Sequence, residues 1–158
     1  MFANQRQRNE GFSMIELVVV VVIIGIIAAI AIPRLSRGSA GAADAALHGN
    51  LAVMRTAIDQ YAAEHGGAFP TVANVVAQLT QYTDDSGDAV AAKDTTHIYG
   101  PYIRKIPPLP VGAKKGKTGI NDIDGATIGW IYTETPGTIK ANTTALEMDE
   151  QEVPYNTY

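Results

Sequence analysis

A long apolar segment near the start of the chain constrains its fold more than any other feature. Sixteen consecutive residues from Leu17 to Ile32 are apolar or small, and Pro33 follows them directly. The stretch from Phe12 to Ile32 would measure about 31 Å as a helix, which matches the hydrocarbon core of a bilayer. The segment therefore predicts one membrane-spanning helix near the N-terminus.

One carboxylate stands at the beginning of this segment. Glu16 directly precedes the apolar run, and a short polar leader with Arg6 and Arg8 ends at Gly11. An ionisable side chain within a membrane span costs several kcal/mol unless it has a partner. Gly25 is small enough to let another helix approach the span closely. We therefore interpret Glu16 as a functional residue.

The residues alone leave two simpler interpretations open. A cleaved secretory signal would share the basic residues and the apolar core, but its small-residue cleavage site would fall inside the apolar block, at residues 29–31. A plain signal anchor would make Glu16 incidental. Two arginines precede the span and two follow it: Arg6, Arg8, Arg34 and Arg37. The positive-inside rule therefore does not set the orientation of the span.

The sequence Gly-Phe-Ser-Met-Ile-Glu-Leu at residues 11–17 resembles the processing motif of type IV pilins and type II secretion pseudopilins. In that family a prepilin peptidase cuts after the glycine and methylates the new N-terminal residue. The resemblance thus implies cleavage between Gly11 and Phe12, and N-methylation of Phe12. The family's assembly carboxylate is the fifth residue of the mature chain, and Glu16 is fifth from Phe12. Pro33 matches a frequent family proline, and we expect it to kink or break the helix.

The resemblance also implies a division of the chain into three parts. Residues 1–11 would be a leader peptide that is cleaved, and residues 12–33 a transmembrane and assembly helix. Residues 34–158 would form a periplasmic pilin-like domain that includes the amphipathic half of the helix. The protein would be a single-pass protein of the bacterial inner membrane before it enters a filament. The implied partners are the prepilin peptidase, further copies of this chain, other pseudopilins and an inner-membrane assembly platform.

Hydrophobic periodicity after the span predicts an amphipathic helix. Apolar residues recur there at spacings of four and three, which places them on one face: Leu47, Leu51, Met54, Ile58 and Tyr61. The segment 36–41 before them is poor in helix propensity, so we expect it to be loose or helical only through packing. Gly66 and Gly67 predict the end of the helix. Thr71 is predicted to cap a second, short helix that extends towards Tyr82.

The last third of the chain predicts a small sheet. Residues 120–123 and 126–133 are rich in strand-forming residues and flank Asp124-Gly125, which indicates two strands around a tight turn. A third strand is predicted at 139–141. Together these elements predict an α+β, pilin-like fold in which the long N-terminal helix packs on a small antiparallel β-sheet, with a second short helix.

Composition and charge exclude several classes of site. The chain has 158 residues, a formal net charge of −4 and no cysteine. Disulfides, thiolate metal sites and cysteine nucleophiles are therefore excluded. The acidic balance argues against nucleic-acid binding, which requires clustered basic residues. Lys114, Lys115 and Lys117 form the only basic cluster, and the glycines around it indicate a solvated loop.

No catalytic constellation is recognisable, and we expect the protein not to be an enzyme. His48 and His65 would lie about 25 Å apart on one helix, too far to share a site. His97 is the third histidine. The sequence contains no nucleophile elbow, phosphate-binding loop or metal-binding histidine pair.

Calcium is the one cofactor that the sequence raises. Residues 61–70 and 102–107 resemble segments of the major pseudopilin of type II secretion, and that branch of the family often holds calcium in a C-terminal loop. Asp122, Asp124 and Asp149 are candidate ligands, because calcium prefers oxygen. None of them aligns with the family's loop residue by residue, and Asp122 and Asp124 also suit an Asp-Gly turn. No other cofactor is expected.

The resemblance implies a structural subunit of a type II secretion pseudopilus, a filament that helps to export folded proteins. No cysteine pair brackets the C-terminal region, as one does in many adhesive type IV pilins, and this favours the pseudopilin. The family's Asp-Pro-Trp-Gly run is replaced by Leu-Pro-Val-Gly at residues 109–112. The alternative is a subunit of a surface type IV pilus used for adhesion, motility or DNA uptake.

Overall fold

The computed structural model describes residues 11–158, and for residues 32–38 it describes the backbone only. Residues 1–10 of the predicted leader lie outside the described residues. The chain divides into two compact units, Met1–Ser39 and Ala40–Tyr158. The elements in chain order are α1 (Met14–Glu64), α2 (Val75–Thr80), β1 (Tyr82–Thr83), β2 (Ala89–Val90), β3 (Gly119–Asn121), β4 (Ile128–Thr133), β5 (Thr138–Ala141) and a 3-10 turn (Tyr155–Thr157). This order confirms the α+β, pilin-like fold.

Helix α1 is longer and more continuous than the sequence suggested. It runs for 51 residues from Met14 to Glu64 and passes through position 33 and the segment 36–41. The helix does not break at Pro33, and the predicted kink there stays a prediction. The predicted stop is confirmed: Gly66 and Gly67 have φ of 64° and 92°. The Gly67 amide closes the helix by donating to Ala62 O at 2.8 Å.

The amphipathic stripe of α1 forms one side of the core of the Ala40–Tyr158 unit. All five predicted stripe residues are buried, with exposed fractions of 3 % or less: Leu47, Leu51, Met54, Ile58 and Tyr61. They share one apolar cluster with Trp130, Tyr132 and Ile139 of the sheet. The polar atoms of Trp130 and Tyr132 are satisfied, because Trp130 donates to Pro107 O and Tyr132 to Pro70 O, each at 2.9 Å. The predicted packing of this helix on a sheet is therefore confirmed.

The strands form two separate sheets. Strands β3, β4 and β5 lie side by side in that order, and β1 and β2 form a separate two-stranded hairpin. Strands β4 and β5 are antiparallel, with Trp130 opposite Ala141. The β1–β2 hairpin is antiparallel as well, with Thr83 opposite Ala89, and Thr83 also pairs with Tyr99.

The predicted hairpin around Asp124-Gly125 is wrong, because β3 runs parallel to β4. Parallel neighbours normally need a long crossover. Here β3 has only three residues, about 10 Å of strand, and the six residues 122–127 can extend about 20 Å, so they suffice to bring the chain back. The segment just before β3 also approaches β4 closely at a glycine. A Cβ at Gly129 would lie 2.3 Å from Lys117 O.

The predicted start of the second helix is also wrong. Helix α2 begins at Val75 instead of near Thr71, and Asn74 takes the N-cap position without a side-chain hydrogen bond. The Thr71 amide donates to Gln78 Oε1 at 2.8 Å, and the Val72 amide donates to a Glu134 carboxylate oxygen at 3.1 Å. These amides therefore have partners without a helical turn. The helix also ends before Tyr82, which lies in β1.

Candidate assembly site at the start of the long helix

The first half of α1 has the length and polarity of a membrane span. Among the described residues, one helix qualifies by length and composition, with a window from Met14 to Ala31 whose mean hydropathy is 3.1. Its large apolar side chains are between 47 and 89 % exposed. An apolar surface of this extent on a single chain indicates contact with lipid or with other protein.

The helix begins with a capping box that the sequence analysis did not single out. The Ser13 amide donates to Glu16 Oε2 at 3.0 Å, and the Glu16 amide lies 3.4 Å from Ser13 Oγ. Ser13 is thus the N-cap and Glu16 the third helical residue, the spacing that defines this motif. The pattern Ser-x-x-Glu before an apolar run was visible in the sequence and could have predicted the cap. Glu16 therefore has a local partner before any second molecule is considered.

Glu16 also borders an apolar recess on the side of the helix. The recess has a volume of about 280 Å³ and is lined by five residues: Phe12, Ile15, Glu16, Val19 and Val20. Glu16 is the only ionisable residue among them. A carboxylate beside apolar side chains would interact strongly with a cation, because the local dielectric constant is low.

The predicted cleavage site directly precedes this helix. Gly11 and Phe12 lie outside helical structure, and α1 begins at Met14. Phe12 is 84 % exposed, and a Cβ at Gly11 would meet nothing within 4 Å. The peptide bond between them is therefore accessible, as a proteolytic site requires. Gly11, Phe12, Ser13 and Glu16 all lie within one turn of the helix start.

The candidate calcium ligands have partners of other kinds or none. Asp124 binds the Lys114 ammonium and accepts from Asn142 Nδ2 at 2.8 Å. Asp149 accepts from the amides of residues 151 and 153 and from the Tyr158 hydroxyl, and the last of these hydrogen bonds lowers the pKa of Asp149 most. Asp122 is exposed. Among the residues the structure describes, no group of three histidine or acidic side chains could hold a metal ion, so calcium stays a prediction.

The three histidines lie in separate environments. His48 contacts the Tyr158 ring edge-on, with the ring centroids 4.4 Å apart, and His65 stacks on Tyr61 at 3.8 Å. His97 lies between two carboxylates: its Nδ1 is 2.9 Å from Asp94 and its Nε2 is 3.4 Å from Asp88. The hydrogen bond to Asp94 is the main reason that the pKa of His97 is raised. None of these environments joins two histidines.

A comparison with protein families identifies the start of the chain. The model of the prokaryotic N-terminal methylation motif matches residues 6–32. The matched segment contains Gly11, Phe12 and Glu16 together with the whole apolar run. It supports a type IV pilin-like protein, and in general it implies processing by a prepilin peptidase and assembly into a filament.

The methylation motif does not distinguish secretion pseudopilins from surface pilins. Comparisons with curated proteins and with solved structures give no match. The apolar helix that the methylation motif covers fits the membrane anchor of pilin-like proteins.

Proposed function

We propose that the chain is a structural subunit of a type II secretion pseudopilus. The prepilin peptidase would cut between Gly11 and Phe12 and methylate Phe12, and the mature subunit would leave the inner membrane to join a helical filament. The Ala40–Tyr158 unit would lie in the periplasm. Other pseudopilins and an inner-membrane assembly platform would be its partners. The observation that carries this proposal is the Glu16 carboxylate at the start of an apolar helix, inside a matched methylation motif.

The proposed cleavage would supply a partner for that carboxylate. Removal of residues 1–11 leaves a cationic amine on Phe12, and in a stack of subunits this amine can meet Glu16 of a neighbour. An opposite charge within about 4–6 Å keeps both groups ionised. A paired charge avoids most of the penalty of an isolated charge in an apolar environment. Glu16 would thus set the register between neighbouring subunits.

The remainder of the apolar helix supports a role between subunits. A Cβ added at Gly25 would meet nothing within 4 Å, so the packing of this chain does not require a glycine there. A small residue at that position lets the backbone of a second helix approach closely. The exposed valines and isoleucines around it supply apolar surface for lipid before assembly and for neighbouring helices afterwards.

The test compares a deletion strain complemented with three versions of the gene: native, Glu16→Ala and Asp59→Ala. Asp59 is an exposed carboxylate further along α1 and serves as the matched control. We expect the native gene and Asp59→Ala to restore export of signal-bearing proteins to the culture medium, and Glu16→Ala to fail although it is inserted and cleaved. Quantitative proteomics of the medium and the periplasm measures the outcome.

Two results would reject parts of this proposal. Normal export and normal filaments with Glu16→Ala would remove the proposed role of the carboxylate. The deletion strain could instead export the same proteins to the medium as the wild type, and this chain could be found in filaments sheared from the cell surface. These two results together would favour the surface type IV pilus. The methylation motif is compatible with either filament.

Calcium is proposed only as an addition to this function. Asp124 is a candidate ligand that already has a cation beside it, since Asn142 and the Lys114 ammonium both contact its carboxylate. The Lys114 ammonium also donates to Gly125 O at 3.0 Å. A calcium ion at this loop would have to displace that ammonium, so calcium and Lys114 would compete.

A further inference from the structure

The capping box fixes the Glu16 carboxylate while leaving part of it open. Oε2 accepts the Ser13 amide, and the Glu16 amide points back to Ser13 Oγ. The other carboxylate oxygen, Oε1, has no hydrogen-bond partner among the residues that the structure describes. One oxygen is therefore held by the chain itself, and the second can accept from another molecule.

A free glutamate at this position would be poorly placed for assembly. Its side chain has several rotatable bonds, and ordering it on binding costs conformational entropy. At the start of a membrane span it would also turn towards the lipid headgroups and water. The hydrogen bond from the Ser13 amide restricts the Glu16 side chain before a partner arrives. Pre-organisation of this kind strengthens association because less freedom is lost on binding.

We propose that Ser13 is a positioning residue for filament assembly. Its hydroxyl oxygen accepts from the Glu16 amide and so fixes the first turn of the helix. Its own amide can then hold the Glu16 carboxylate at the edge of the recess formed with Phe12, Ile15 and Val19, so that the open oxygen can accept from the terminal amine of a neighbouring copy. This inference rests on the proposed function. It adds a residue that acts through Glu16 without touching the neighbour itself.

The recess explains why the position of the carboxylate matters. Apolar side chains line it, and together with a neighbouring helix or lipid they would exclude water from a pair formed there. A hydrogen-bonded ion pair is much stronger in such surroundings than in water, but only with good geometry. A carboxylate that could turn away from the recess would lose most of this advantage.

Two nearly isosteric variants separate the hydroxyl from the shape of the side chain. Ser13→Thr keeps a hydroxyl that can cap the helix, and Ser13→Val replaces that hydroxyl with a methyl group. Both are made in the full-length chain, and the fraction of cleaved subunit found in filaments is measured. We expect Ser13→Thr to assemble like the native chain and Ser13→Val to assemble about five-fold less, the factor that corresponds to the loss of one cap.

The outcomes are unambiguous because cleavage is measured separately, by the mass of the mature chain. Equal filament entry by Ser13→Thr and Ser13→Val overturns the proposal. A loss that is confined to cleavage, with normal filament entry of the subunits that are cut, overturns it as well. Lower filament entry of the cleaved Ser13→Val chain alone supports it.

A second measurement does not depend on filaments. The chain has four serines, Ser13, Ser36, Ser39 and Ser86, so ¹⁵N-serine labelling of the full chain in lipid nanodiscs gives a simple spectrum. We expect the Ser13 amide to exchange its hydrogen several-fold faster in Glu16→Ala than in the native chain. Unchanged exchange shows that the box is absent and overturns the inference. Slow exchange of the Ser13 amide in the native chain, combined with a failure of that chain to form filaments in the cell, would reject only the proposed function.

Discussion

Glu16 makes one contact within the chain, and the second contact proposed for it needs another subunit. Its carboxylate accepts the Ser13 amide within the chain, and its charge has no partner among the described residues. Capping requires only an acceptor oxygen, whereas pairing with an amine requires a negative charge. The two roles can therefore be separated by changing the charge without changing the shape.

The variant Glu16→Gln makes this separation. Glutamine can still accept the Ser13 amide, so we expect normal helix formation, membrane insertion and cleavage. Filament entry should fall at least about ten-fold, because a neutral amide loses more than about 1.4 kcal/mol of interaction with a cationic amine. Sheared filaments and membrane fractions compared by immunoblotting give the measurement. Filament entry equal to that of the native chain would show that the charge is not needed.

His97 predicts a pH dependence of stability. It lies between Asp94 and Asp88, with Asp84 also contributing favourable charge, and its pKa is raised above the model-peptide value of 6.5. A raised pKa means that the stabilisation is fully present below about pH 6.5 and is lost as the pH rises through the pKa of the folded protein.

We therefore expect the native chain to melt at a higher temperature than His97→Gln at pH 5.5, with the difference shrinking by pH 8.5. Thermal unfolding of the detergent-solubilised full chain, followed by the fluorescence of its single tryptophan, Trp130, measures this difference. His48→Gln is the comparison variant, because His48 contacts the Tyr158 ring edge-on instead of lying between two carboxylates. A difference in melting temperature that stays constant across the pH range would contradict the proposed stabilisation by charged His97.

Among the elements, long periodic segments were predictable from the sequence and short ones were not. The apolar stripe from Leu47 to Tyr61 repeats for four turns, and the glycines at 66 and 67 mark the end of the helix. The sequence pattern was therefore enough to predict this helix and its buried face. Strands β1 and β2 have two residues each, too few to show a period. The direction of β3 depends on its contact with β4, which a local pattern does not contain.

The close approach of Lys117 to β4 gives a prediction about Gly129. A Cβ there would lie 2.3 Å from Lys117 O, so backbone must shift. We expect Gly129→Ala to lower the free energy of unfolding by about 2 kcal/mol. At Gly49 of α1 an added Cβ meets nothing within 4 Å, and Gly49→Ala should raise the same quantity by about 1 kcal/mol through helix propensity. Urea unfolding measures both free energies. Changes of the same sign in the two variants would refute the geometric explanation.

The loop between β3 and β4 gives a prediction about calcium. Lys114 binds Asp124 and Gly125 O, where a bound cation would compete with it. We expect calcium to raise the melting temperature of Lys114→Gln more than that of the native chain, since the variant frees the Asp124 carboxylate. Magnesium at the same concentration controls for ionic strength. No response of either chain to calcium would count against a site at Asp122 or Asp124.

On the scale of the whole molecule, the chain separates a region that needs other molecules from one that does not. The buried apolar cluster lies entirely within residues 47–141 and draws on α1, α2 and the three-stranded sheet. The unit Ala40–Tyr158 therefore contains its own core. None of the segment from Met14 to Ala31 is buried within the chain, so its apolar surface needs lipid or another protein to cover it.

This division predicts that the fragment 40–158 folds alone. We expect it to be soluble and to unfold in one cooperative transition, with the emission of Trp130 blue-shifted by burial. Size-exclusion chromatography and urea unfolding test this expectation. A fragment that aggregates or lacks a cooperative transition would show that the apolar half of α1 is required for the core.

The candidate site was more predictable than the fold because its signal is local. Gly11, Phe12 and Glu16 stand in a short motif whose register is visible in the sequence. Ser13 stands in the same motif, but its role required the two hydrogen bonds with Glu16 to be seen. The partner of Glu16 cannot be read from one chain at all, because the proposed amine belongs to another copy.

The capping box also bears on the timing of assembly. Ser13 contributes a peptide amide and a hydroxyl, neither of which depends on the terminus that cleavage after Gly11 would create. The precursor already has the box, and the mature subunit would keep it. Proteolysis would then act as a chemical switch that creates one cationic amine at Phe12 and requires no refolding. A subunit could wait in the membrane with its acceptor ready, unable to polymerise until that single bond is cut.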